Sequence, residues 1–138
     1  MRERRKGLRY TVNFRVFFPE FNIYGHTYDI SLDGCFVKID ASMSVGFMTD
    51  LLLELPVVGV IALKGYVQHT GKAESGVGLQ FVQVRFESDQ SDYFSLYSRF
   101  LQTMPQLEEI RKSYLDLVQQ NRFRLFTLPG GPEKAETT

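Results

Sequence analysis

From Thr11 to Val84 the apolar residues come in short runs, each closed by glycine, proline or aspartate, and beyond Asp92 their spacing changes from two to near 3.6. That switch constrains the fold more than any other feature of the chain. Between Thr11 and Phe18, Val12, Phe14, Val16 and Phe18 share one face and Thr11, Asn13 and Arg15 the other, the pattern of a half-buried strand. Pro19 ends it. Tyr24 to Ser31 can form a second strand, and Asp33-Gly34 is a turn signal before a third, Cys35 to Ile39. Leu51 to Leu55 is apolar and stopped by Pro56, and Ile61 to Thr70 follows, with Gly71 opening a polar turn. Gly76 to Val84 completes the series, with Val77, Leu79 and Phe81 on one side. Six short strands jointed by Gly and Asp indicate a small antiparallel barrel or sandwich.

The C-terminal third is helical in period. Ser88-Asp89 or Ser91-Asp92 can cap a helix beginning near Tyr93, and Tyr93, Tyr97, Phe100, Met104 and Leu107 form one stripe. Pro105 falls within that stripe and predicts a kink or a division. A second stretch, Gln106 to Gln120, carries Leu107, Ile110, Tyr114 and Leu117 on one face. The expected organisation is a basic arm over residues 1–10, a β-barrel over 11–87, a helical segment over 88–128 and a disordered tail over 129–138. The stripe before Pro105 is expected to cap the barrel. Its continuation exceeds what a small barrel can cover, which makes self-association through the C-terminal helix an open expectation.

Composition excludes several classes. A chain of 138 residues is one domain's worth, and twelve Phe with seven Tyr suffice to fill its core. The single cysteine, Cys35, excludes an internal disulfide and a cysteine-based zinc site, and suits a reducing compartment. The charged start has no apolar stretch behind it, and no run reaches the length of a membrane span, so a cytoplasmic chain without membrane insertion is expected. Sixteen basic residues balance sixteen acidic ones, which argues against general DNA or RNA binding. Their distribution is uneven, because six of the sixteen basic residues lie within the first fifteen positions, against one acid. His26 and His69 are too far apart in sequence to suggest a metal site, Glu108 and Glu109 are adjacent and splay on a helix, and Cys35 fits a buried inert thiol. No catalytic constellation is visible.

Two motifs carry chemistry. Arg5 and Arg9 stand four apart before the first strand, with Arg4 adding a third guanidinium, and such forks match phosphate oxygens and the O6/N7 edge of guanine. A solvated basic terminus would have the same composition. Asp29, Ser31 and Gly34 follow: a carboxylate can accept from the N1 and N2 donors of guanine, serine adds a hydroxyl, and glycine leaves room for a ligand. An Asx-type turn between strands is the plainer alternative. Gly76-Val77-Gly78 is no dinucleotide fingerprint, since a strand rather than a helix surrounds it.

Together, Arg5/Arg9, then Asp29/Ser31/Gly34, then Gly76/Gly78/Phe81 resemble the signature of the PilZ domain, the bacterial receptor module for cyclic di-GMP, over about residues 4–86. The resemblance implies a six-stranded antiparallel barrel with a C-terminal helical segment and no enzymatic activity, cofactor or metal. It implies that Arg5 and Arg9 contact phosphate and guanine, that Asp29 and Ser31 contact the base, and that Gly34 keeps the turn open, with Gly76 and Gly78 in support. Arg4 is similar to the arginine of members that bind a stacked pair of ligand molecules. The implied function is a stand-alone cyclic di-GMP receptor or adaptor acting on an unidentified effector protein, its basic arm ordering over the ligand. The rival expectation is a module that binds no nucleotide and interacts through its C-terminal helix.

Overall fold

In a computed structural model, residues 8–72, 80–87 and 91–129 are described. Six antiparallel strands, β1 (Arg15–Phe18), β2 (Ile23–Ile30), β3 (Gly34–Ile39), β4 (Met48–Leu55), β5 (Gly59–Lys72) and β6 (Gln80–Phe86), close into a barrel in the order β1-β2-β3-β6-β5-β4. Closure runs through Val16 opposite Leu53 and Phe17 opposite Leu52. Val16, Phe18, Ile30, Val37, Leu53, Val67 and Val84 fill the interior at no more than 1% exposure. Each such side chain contributes about 1.5–3 kcal/mol by leaving water.

β1 is shorter than the alternation predicts, for a local reason. The Thr27 hydroxyl accepts the Phe14 amide at 2.9 Å and donates to the Val12 carbonyl at 2.5 Å, while the Thr27 amide donates to the Phe14 carbonyl at 2.9 Å. A side chain thus replaces ladder partners, and regular pairing starts only at Arg15. β5 runs beyond the predicted Ile61–Thr70 at both ends. β6 begins at Gln80, and the predicted strand residues Gly76 to Leu79 lie outside the described residues. Within β6 it is Val82, Val84 and Phe86 that point inward, so Phe81 falls on the outer wall.

Residues up to Gln102 form one compact unit and those from Thr103 onward a second. Within the first, α1 (Asp92–Leu101) is capped by Ser91, whose hydroxyl accepts the Phe94 amide at 3.1 Å. Its inner face holds Tyr97, fully buried against Phe86 with ring centroids 5.3 Å apart, and Phe100, edge-on to Phe14 at 5.9 Å. In the second unit, α2 (Met104–Gln119) carries Pro105 in its first turn, where a missing amide donor costs nothing. The helical segment is therefore divided just before that proline, between Leu101 and Met104. α2 ends at Asn121 in a left-handed conformation (φ 62°), with the Arg122 amide returned to the Leu117 carbonyl at 2.9 Å. No helix among the described residues is long and apolar enough to cross a membrane.

Candidate functional site

Two β-bulges shape one side of the barrel. The β2–β3 register shifts between Thr27 and Asp29, and the β5–β6 register shifts between Val67 and His69. In β2 the extra residue lets Thr27 and Ile30 both face the core, leaving Tyr28 and Asp29 consecutive on the outer side. Gln68 is the inserted residue of β5.

Asp29 receives Arg9 there, with Nη2 to Oδ1 at 3.4 Å and side chains only 27% and 14% exposed. Behind the pair lies Cys35, whose thiol is pushed far up by burial, with the Asp29 carboxylate adding to the shift and Arg9 opposing it. Burial therefore favours its protonated thiol form.

The connection from β2 to β3 is tight. The Ser31 amide donates to the Gly34 carbonyl at 2.8 Å, and the Ser31 hydroxyl reaches the same oxygen at 3.4 Å. Ser31 is 1% exposed, and its own carbonyl accepts the Tyr97 hydroxyl at 2.5 Å, which ties α1 to the turn. Burial raises the Tyr97 phenol well above its ordinary value, so it remains a donor. Gly34 has a packing duty: a Cβ there would overlap the Val84 carbonyl oxygen and come within 3.1 Å of the Arg85 Cα. Its lack of a side chain lets β3 approach β6, a role the sequence did not disclose.

A cleft of about 80 Å³ opens beside this turn, lined by Arg9, Ser31, Asp33, Gly34, Gln68, Gln83, Val84 and Arg85. It is smaller than the several hundred Å³ that enclose a whole ligand, so it suits the edge of a planar group lying mostly on the surface. Two guanidinium groups and two side-chain amides offer donors, and Asp33 offers a carboxylate. Such a set can read both the acceptor edge and the donor edge of a purine, and it can neutralise a phosphate. Among the described residues no cluster could hold a metal ion.

The structure therefore brings Arg9, Asp29, Ser31 and Gly34 together, with Asp29 reaching the cleft through Arg9. The predicted Arg4, Arg5, Gly76 and Gly78 lie outside the described residues. Gln68, Gln83 and Arg85 were missed. Gln83 and Arg85 follow from the outward alternation of β6 once its phase is known, whereas Gln68 depends on a bulge that no local pattern announces.

The family model of the PilZ domain matches residues 1–94. No curated protein matches the chain in sequence. Among solved structures, the chain is similar to the PilZ domain of YcgR from Escherichia coli, solved with c-di-GMP, at TM-score 0.65 and 14% identity, covering 80% of this chain and 98% of that one. A second structure of YcgR from Escherichia coli, in complex with c-di-GMP, gives TM-score 0.63 at 15% identity, over 84% of this chain and 51% of that one. The Bacillus subtilis inhibitor of motility, MotI/DgrA, gives TM-score 0.63 at 16% identity, over 78% and 53%. The chain thus spans about half the length of the last two, and the likeness to all three is one of fold.

Proposed function

The chain belongs to the PilZ domain family, and from that premise we propose that it is a receptor for cyclic di-GMP that works by binding and has no catalysis of its own. The observation that carries the reading is the meeting of Arg9, paired to Asp29, with Ser31 and Gly34 at one polar cleft. Arg9 and Arg85 supply charge for phosphate and forks for guanine O6/N7, and the Asp29 and Asp33 carboxylates suit guanine N1 and N2. Arg4 and Arg5 would add guanidinium groups from the segment preceding Arg9. The solved complexes of YcgR with c-di-GMP support the same reading by analogy of fold. A receptor of this kind acts in the cytoplasm through a separate effector protein.

Calorimetric titration of the folded chain with cyclic di-GMP tests this, with saturable heat expected at micromolar ligand. Asp29→Ala and Arg9→Ala should each cost about 1–3 kcal/mol of binding, the worth of one bidentate contact. Absence of heat across the micromolar range sinks the proposal.

A second reading rests on α2, which exposes Leu107 (47%), Ile110 (66%) and Leu115 (45%). These residues support association of two copies through the helix, a role compatible with ligand binding. Sedimentation of a strict monomer at high concentration would dismiss it.

A further inference from the structure

Tyr28, Phe36 and Phe81 meet on the outer wall of the barrel, from three different strands. Phe36 and Phe81 lie nearly parallel (19°) with centroids 5.3 Å apart, and Tyr28 stands edge-on to both, at 6.1 and 6.4 Å. Tyr28 is 55% exposed, although an aromatic ring of that size gains by burial. The bulge that turns Asp29 outward turns Tyr28 outward beside it.

The cluster adjoins the cleft by register. Phe36 is the cross-strand partner of Asp29 on one side and of Gln83 on the other, so its side chain emerges in the row next to the one that holds Gly34 and Arg85. Neighbouring strands are about 4.8 Å apart and alternate residues about 6.8 Å, so a flat ligand with one edge in the cleft extends over this row. Lys38, exposed and two residues beyond Phe36, stands opposite Phe81 on the same wall. The sequence is therefore guanidinium and amides, then a cluster of three aromatic rings, then a cation. That order complements a ligand of alternating bases and phosphates and not a purely apolar partner.

We propose that Tyr28, Phe36 and Phe81 form a stacking platform for a guanine base of the nucleotide, continuous with the polar cleft, with Lys38 facing a phosphate. This rests on the receptor reading above and adds a subsite to it. Binding through one edge in the cleft and one face on the platform favours a ligand with two bases over a mononucleotide.

The test is a titration of the intact chain with cyclic di-GMP, followed by NMR of the Ser31 and Gly34 amides and of the Tyr28 ring, with Tyr28→Leu as the variant. Leucine keeps apolar bulk at an exposed position, and Phe81→Leu provides a second variant. The proposal expects ring-current shifts at Tyr28 on saturation, and an affinity lowered about tenfold in Tyr28→Leu with an unchanged unfolding midpoint. Shifts at Ser31 and Gly34 with an unmoved Tyr28 ring and wild-type affinity in both variants overturn the platform and leave the receptor intact. No shift at any of these groups overturns both.

Discussion

The β4–β5 hairpin and the β3–β6 seam are built from the same kinds of residue, yet they are ordered differently. Across β4 and β5 the register runs unbroken from Met48 opposite Tyr66 to Leu55 opposite Gly59, and burial in β4 alternates without a slip. The β3–β6 ladder is flanked on each side by a bulged one, β2–β3 and β5–β6. Where it is regular, the hairpin alternates core residues with exposed ones. On the interrupted side, Asp29 and Tyr28 are both turned outward, Gln68 is inserted, and the Ser31–Gly34 turn is held by α1. Bulges are where a closed sheet can re-aim side chains without opening, which is why the polar cleft lies among them.

Substitutions can break or sharpen that contrast. The largest effect is expected from Gly34→Ala, because the new Cβ meets the backbone of β6 and not a movable side chain. It should cost about 3 kcal/mol in urea unfolding, the upper range for overpacking, and should weaken ligand binding in the fraction that folds. Wild-type stability in Gly34→Ala would mean that the seam yields more easily than its packing implies. Tyr97→Phe comes next: it leaves the buried Ser31 carbonyl without its donor and should cost about 2 kcal/mol. Tyr93→Phe, on the exposed side of the same helix, should be neutral by the same measurement.

On the regular side the sign should reverse. Val57, at the tip of the hairpin, is fully exposed with φ 73°, a left-handed conformation that a β-branched residue adopts at a cost. Val57→Asn should raise stability by about 1 kcal/mol and leave ligand affinity alone. The smallest effect is read at mildly alkaline pH. Cys35 and Tyr97 have ordinary values of 9.0 and 10.0, and burial raises both in the folded chain. The folded state therefore keeps protons that the unfolded state releases. The contribution of these two groups to stability should be complete below about pH 9 and be lost as pH rises past 9 and then 10. Cys35→Ala should remove the first part of that loss in urea midpoints compared across the range.

Much of this was legible in the sequence, and the failures share a cause. Alternation located all six strands because one face of each is buried, and the period change at Asp92 located α1. Arg9, Asp29, Ser31 and Gly34 could be picked out because their chemistry is concentrated in short motifs. What escaped depended on partners distant in sequence. Thr27 replaces the ladder of β1 with its hydroxyl, a substitution visible only once Phe14 lies beside it. Gln68, Gln83 and Arg85 reach the cleft from β5 and β6, strands distant in sequence from the motif. A bulge reverses the inside–outside phase within β2 and within β5, and alternation counted along the chain cannot register it.

The hydrogen bond from Tyr97 to the Ser31 carbonyl spans 66 positions of sequence and joins α1 to the turn between β2 and β3. Neither can open alone without stranding a buried polar group, so helix and turn share one opening event. Amide exchange along α1 is accordingly a gauge of the turn beneath it. By reciprocity, whatever steadies Ser31 lengthens the residence of α1 on the barrel, and whatever pulls α1 away loosens Ser31 by the same free energy.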